Sequence, residues 1–234
     1  RRRRVRRPVV PEVVAAPRRA VTFASRFTCR VDGDLGDVVA WLAGPVHAAA
    51  PLPGPPTWLH QVHGAEVVVV TEPGEHAGAS ADAAVTIVPN APLVVRTADC
   101  APILLEGREG IGVVHAGWRG LEAGVIEAAA DALASIGEGP DTLRLGPCIR
   151  PRCYEFGEAE LDRVAARYGD AVRATTAWGT PALDLAAGVA EAARRLGLQF
   201  EDEATCTACS PAHWSYRARA DTGRHGLVAW RVAP

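Results

Sequence analysis

Methionine and lysine are absent from this chain of 234 residues, and Asn90 is its only asparagine. These residues use A/T-rich codons, whereas the abundant Ala, Arg, Gly and Pro use G/C-rich ones. The bias points to a G/C-rich coding sequence, and Arg1 is not expected to be an initiator residue. Long apolar runs are missing too. Stretches such as Val67–Val70 fall far short of the ~20 residues that cross a bilayer as a helix. The Arg-rich start lacks the apolar stretch and small-residue cleavage site of a secretory signal. A soluble, cytoplasmic protein with no membrane partner is therefore expected. No internal repeat and no long linker interrupts the chain, and six cysteines at this length do not make a disulfide framework. What is present, 48% apolar and 22% charged residues, excludes a disordered or fibrous chain and supplies a sizeable core.

Charge is distributed unevenly. Net charge is −2, yet residues 1–30 carry 10 Arg against one acid, Glu12, leaving 15 Arg against 26 acids in the remainder. An acidic body argues against nucleic acid as a partner, because neutralising phosphates needs a basic face. The Arg1–Arg7 block reads as a solvated tail, since like charges repel and stay unfolded. We expect residues 1–18 to be an irregular basic tail and residues 19–234 to form one domain, as a monomer or weak dimer.

Hydrophobic periodicity predicts strands at Val21–Phe27, Glu66–Thr71, Ala83–Val88, Leu93–Thr97, Gly110–His115 and Leu143–Leu145. Helices are expected over Asp37–Ala50, stopped by Pro51, and over Leu121–Ile136, Glu158–Tyr168 and Leu185–Leu196, the last stopped by Gly197. In the Leu121–Ile136 helix, Leu121, Val125, Ala128, Ala129, Ala132 and Ile136 share one face. His213–Tyr216 and Leu227–Val232 read as paired strands around an Asp221–Arg224 turn. Strands come in groups rather than in strict alternation with helices, which favours an α+β fold.

Chemistry concentrates where strands end. One strand runs into Asp99 and Cys100, another into His115-Ala-Gly-Trp-Arg119-Gly120 at a helix start, and His63 follows Gln61 in a turn. A Gly-bearing strand-to-helix turn directs backbone N–H groups at a bound anion, and Arg119 adds a bidentate donor for phosphate or carboxylate. Two imidazoles and a thiol, His63, Cys100 and His115, suit a catalytic zinc with one open position, or copper. Alternatively, Cys100 and His115 form a thiolate–imidazolium nucleophile with Asp99 as orienting acid. His47, His60, His76 and His225 read as ordinary hydrogen-bonded histidines, and Cys206 and Cys209, spaced C-x-x-C with no second pair, as ordinary thiols rather than a structural zinc site.

Several blocks occur in a telling order: Gln61-Val-His63-Gly64, Ala81-Asp82-Ala83, Thr97-Ala-Asp99-Cys100-Ala-Pro102, His115-Ala-Gly-Trp-Arg119-Gly120, Gly146-Pro147-Cys148-Ile149 with Cys153-Tyr154-Glu155, Cys206-Thr207, Ser215-Tyr216-Arg217 and Thr222-Gly223-Arg224. Together they resemble the YfiH-type laccase-domain family, also called polyphenol oxidoreductases and purine nucleoside phosphorylases, from about residue 57 to the C-terminus. The resemblance implies an α+β sandwich of packed β-sheets flanked by helices. It implies a zinc, or copper in the alternative, on His63, Cys100 and His115. It also implies phosphorolysis of purine nucleosides (adenosine, inosine, guanosine and methylthioadenosine) with adenosine deamination, and a phenol-oxidase activity as the alternative. Substrate contacts carried over are Gln61, Arg119 and Arg217, and Asp99 is the expected catalytic base. This chain departs from the family in one place. The Arg-x-Gly-Gly-Val-Ser loop and the Asn-bearing turn after it are replaced by Arg26-Phe-Thr-Cys-Arg30-Val-Asp-Gly-Asp-Leu35. A catalytically altered member, or a metal-stabilised scaffold, is the further alternative.

Overall fold

The computed structural model describes residues 21–45, 48 and 51–233. The expected basic tail, His47 and part of the expected Asp37–Ala50 helix lie outside them. One sheet runs, edge to edge, through β12 (Gln199–Asp202), β9 (Pro140–Leu145), β7 (Ala101–Gly107), β8 (Ile111–Ala116), β5 (Ala83–Thr86) and β3 (Val67–Val69). A second runs through β1 (Phe23–Phe27), β13 (His225–Arg231), β6 (Leu93–Thr97), β2 (Thr57–His60) and β4 (Ala79–Ser80). A small hairpin joins β10 (Arg173–Thr175) to β11 (Pro181–Leu183).

Alternation of side chains along the strands sorts the apolar residues into layers. Leu104, Ile111 and Val113 of the six-stranded sheet meet Leu59, Leu93, Val95, Leu227 and Ala229 of the five-stranded sheet. On the other side of β7 and β8, Ile103, Leu105, Val114 and Ala116 pack in one core with four helices: α2 (Trp118–Ala123), α3 (Val125–Ile136), α4 (Glu158–Tyr168) and α5 (Leu185–Leu196). The outer face of the five-stranded sheet, at Val94 and Val228, is covered by α1 (Val38–Leu42). Both faces of β7 and β8 are thus buried, which is why they read as continuous apolar runs. The fold is α+β, with open sheets flanked by helices, as expected.

Three expectations change. Helix Leu121–Ile136 is broken at Gly124, whose φ of +87° is open to glycine at little cost and whose N–H caps the carbonyls of Gly120 and Leu121 at 3.0 Å each. The new helix start at Val125 turns Val125, Ile126, Ala129, Ala130 and Leu133 inward and leaves Ala132 and Ile136 partly exposed. The expected C-terminal hairpin does not form. Ser215 instead caps a short helix, α6 (Tyr216–Arg219), by accepting the Ala218 N–H at 3.1 Å, while β13 inserts between β1 and β6. Strand β7 was not foreseen at all, although its apolar run is the centre of the larger sheet. α4 and α5 have the expected limits, and Gly197 stops α5 with φ +71°, whereas α1 of the expected Asp37–Ala50 helix ends at Leu42 and the expected Glu66–Thr71 strand shortens to Val67–Val69.

His225 is not the hydrogen-bonded histidine expected. It is fully buried, neither ring nitrogen reaches a partner of normal geometry, and its ring stacks on Trp214 at 6.3 Å. Burial, joined by the positive surroundings of His213, Arg224 and Arg30, pushes its pKa down to about 3 against an opposing pull from the Pro147 carbonyl. A group depressed in the folded state but normal when unfolded leaves the unfolded chain binding more protons, so stability falls as pH falls from about 6.5 toward 3. Urea unfolding at pH 7 and pH 4.5 should therefore show a loss that His225→Phe reduces by about 2–3 kcal/mol. An unchanged difference between the two pH values would contradict this assignment.

Candidate metal centre

Strand register brings the three candidate ligands together. β7 and β8 pair antiparallel with Pro102 opposite His115 and Ala101 opposite Ala116, so Cys100, one residue before β7, lies against the end of β8. β5 pairs with β8 so that Ala83 faces Val114, which sets Asp82 beside His115 and lets the His115 N–H bond the Asp82 carbonyl at 2.7 Å. His63 is delivered by the turn that follows β2, with a φ of +60° that is uncommon outside glycine.

That turn is held by one buried carboxylate. Asp82 accepts backbone N–H groups from Val62 at 3.2 Å, His63 at 3.0 Å and Gly64 at 2.7 Å. Its Oδ1 also takes the Nδ1 side of the His115 ring at 2.8 Å. With Nδ1 committed, His115 turns its Nε2 toward the site. The nitrogens of His63 and His115 and the Cys100 sulfur all lie within 4.8 Å of one another, with His63 Nε2 3.8 Å from Cys100 Sγ. A tetrahedral zinc with bonds of about 2.0–2.3 Å spaces its donors by roughly 3.3–3.8 Å, so the triad needs little closure to hold one.

Electrostatics fit the same ion. Burial would raise the Cys100 thiol, but His115 and His63 outweigh it and lower the pKa to about 6. Burial would lower His115, but Cys100 and Asp82 raise it to about 9. Burial would also raise Asp82, whose bonds to His115 and to the Gly64 and His63 N–H groups hold it below the usual carboxylate range. A thiolate beside a cation is the donor a soft metal takes. Space is reserved as well: a Cβ on Gly117 would stand 2.8 Å from His63 Cδ2 and 3.1 Å from Cys100 Sγ.

The triad opens into a cavity of about 630 Å³, a volume suited to a small molecule. Arg96, Arg119, Arg217 and Arg224 line it, and none has an acidic partner within ion-pair distance among the described residues. Arg119 lies over the Trp118 ring at 4.5 Å and Arg217 over Tyr154 at 5.1 Å, while Tyr216, 66% exposed, stands at the rim. Gly36, just after Leu35, reaches the same wall and accepts an Arg96 N–H at 2.8 Å. Gln61 lines the cavity too, but its amide is spent on Arg96: Nε2 donates to the carbonyl at 2.7 Å and Oε1 accepts the N–H at 2.9 Å. Asp99 is buried at φ +100°, with Oδ1 taken by the Thr207 hydroxyl at 2.6 Å and Oδ2 by the Arg217 N–H at 2.7 Å. His60 reaches the cavity edge, whereas His76 lies outside it. Sequence reasoning missed Asp82, Arg96 and Arg224. A ligand histidine's need for a carboxylate on its other nitrogen is the signal that would have drawn attention to Asp82.

A sandwich of this kind, with an imidazole–thiol triad under an arginine-lined cavity, presents the donor set of a metal-binding class of protein. The family model described as multi-copper polyphenol oxidoreductase laccase matches residues 32–232. The chain is 43% identical over 179 residues, 74% of each chain, to a Streptomyces coelicolor protein named purine nucleoside phosphorylase. It is 39% identical over 204 residues to a Mycobacterium tuberculosis protein of the same name, covering 85% of this chain and 81% of that one. In fold it is similar to a Neisseria meningitidis crystal structure at TM-score 0.77 and 24% identity, covering 90% of this chain and 95% of that one. The chain belongs to the YfiH-type laccase-domain family, whose relatives are named as enzymes of purine nucleoside phosphorolysis. Among the described residues no helix is long and apolar enough to cross a membrane.

Asp82→Asn keeps the size of the side chain but removes its charge. Competition against a chelator should show zinc affinity at the triad falling about 10–100-fold. Affinity equal to wild type would mean that Asp82 does not organise the ligands.

Proposed function

We propose that this protein is a zinc-dependent purine nucleoside phosphorylase that also deaminates adenosine, with copper as the alternative metal. Adenosine, inosine, guanosine and methylthioadenosine are the substrates, with phosphate as the second one. The single observation that carries the reading is the set of four guanidinium groups, with no acidic partner among the described residues, around a cavity floored by His63, Cys100 and His115. Guanidinium matches phosphate in shape and charge, so such a cavity in an otherwise acidic body favours an oxyanion.

In this reading His63, Cys100 and His115 hold the metal. Bound there, the metal supplies a Lewis acid and a water of lowered pKa, the species that deamination at the purine six-position requires. Arg119 and Arg217 hold phosphate beside the anomeric carbon, with Arg96 and Arg224 adding positive charge behind them. A phosphate oxygen bonds to that carbon as the bond to the purine nitrogen breaks, and the electron pair leaves on the base, which takes up a proton. Tyr154, whose pKa is pushed upward chiefly by burial, stays protonated and can donate a hydrogen bond in the cavity. Tyr216 offers an aromatic face to the purine. Asp99 acts as a positioning group rather than the free base first expected, because fixed donors occupy both its oxygens and tie Arg217 to Thr207. Gln61 supports the wall through Arg96 instead of reaching substrate directly.

Zinc-loaded wild type should release hypoxanthine from inosine only when phosphate is present. Cys100→Ala should lose both the metal of this site and the activity. Arg119→Ala should raise the KM for phosphate by about 10-fold or more, the worth of one charged hydrogen bond. Folded, zinc-loaded protein that releases no base would sink the proposal, and phenol-dependent oxygen uptake by a copper-loaded form would replace it with the oxidase reading.

A further inference from the structure

A second sulfur cluster includes the cysteines next in sequence to Tyr154 and Thr207. Cys206 and Cys209 form a tight turn in which the Ser210 N–H bonds the Cys206 carbonyl at 3.0 Å. The fold supplies the third thiol that C-x-x-C spacing lacks: Cys153 ends a short turn beginning at Pro151, and its sulfur stands 3.3 Å from that of Cys209. All three sulfurs lie within 4.8 Å of one another, and Cys209 is exposed. Zinc bonds to sulfur of about 2.3 Å require sulfurs roughly 3.8 Å apart, so three ligands of a tetrahedron are nearly in place.

Cys148, buried nearby, stands outside the group. Beside the cluster a second cavity of about 600 Å³, lined by Cys153, Glu155, Trp178 and Ala208, opens to solvent.

We propose that Cys153, Cys206 and Cys209 bind a second zinc ion, with its fourth position open to water. Binding displaces the remaining thiol protons to solvent and involves no change of oxidation state. The ion joins one segment that lines the first cavity, through Tyr154, to another that supports its wall from behind, through Thr207 and Asp99. Cys153 precedes Tyr154, which carries Arg217 over its ring, and Cys206 precedes Thr207, whose hydroxyl holds Asp99. Its role is that of a clamp on the cavity wall. This assignment stands apart from the phosphorylase reading and survives if that reading fails.

Zinc content of reduced, zinc-saturated protein tests it. Wild type should bind two equivalents, Cys100→Ala one, and Cys209→Ser one. The exposed position of Cys209 makes the serine variant compatible with folding, and retention of the ion on the other triad confirms that it has folded. Cobalt in place of zinc in Cys100→Ala protein should give thiolate-to-cobalt charge-transfer absorption that weakens when Cys209→Ser is added. A Cys100→Ala protein that binds no metal, or a second equivalent that persists in Cys153→Ser and Cys209→Ser, would overturn the assignment. So would a Cys153–Cys209 disulfide in place of a second zinc under the same reducing conditions.

Discussion

The site depends on the carboxylate of Asp82. It is fully buried, and among the described residues no arginine pairs with it; three backbone N–H groups and one imidazole do. Each hydrogen bond to a charged acceptor contributes about 1.5–3 kcal/mol when well made, and leaving such an acceptor unmade costs more. The same four bonds perform two tasks. They hold the His63 turn in a left-handed backbone conformation, and they select the ring nitrogen that His115 offers. Two candidate ligands on separate segments are thereby set relative to one another through a single atom group. Cys100 needs no such agent, because the β7–β8 register carries it to the same point.

This explains which parts of the site could be read from residue order. His63, Cys100 and His115 announce themselves by type and by their position at strand ends. Asp82 looks like any acid before an apolar strand, and it becomes a ligand organiser only when β5 pairs with β8 in the observed register. Arg96 and Arg224 likewise meet across β6 and the loop before β13. Local signals served the helices better, since caps and stops act over four residues: Gly197 ends α5 as foreseen, and Asp184 caps its start by accepting the Ala187 N–H. They failed where a tertiary partner decided. The stretch before Tyr216 has strand-like residues, yet Asp99 fixes the Arg217 N–H and Ser215 caps the turn, so a helix begins there.

Charge placement separates binding from stability. Elsewhere most of the described arginines pair with acids, among them Arg163 with Glu122, and Arg194 and Arg195 with Glu191. Such exposed pairs contribute little to folding. The cavity breaks this pattern by gathering four cations while its one lining carboxylate, Asp99, spends both oxygens on structure. Mutual repulsion is visible in Arg96, which burial first and Arg224 second push below its ordinary value. Holding unneutralised guanidinium groups together costs stability, and an anionic ligand relieves that cost. A site that gains most when an oxyanion enters is thereby poised to bind one.

The cysteines carry the same reasoning one step further. Cys100, Cys148 and Cys206 are chemically identical and differ only in their neighbours. Cys148, in apolar surroundings, holds its proton. Cys100 is opposed by imidazoles, a diffuse positive environment whose strength depends on their protonation. Cys206 is opposed by backbone N–H dipoles, which cannot titrate and remain aimed at the sulfur as long as the turn is intact. An imidazole-supported thiolate suits a reactive centre, where charge must be exchanged with substrate or solvent. A dipole-supported thiolate suits a permanent tether, because its stabilisation is part of the backbone itself. In the proposed assignments the two sulfur clusters would divide the work between chemistry and anchoring, with Tyr154 and Thr207 each next in sequence to an anchoring cysteine.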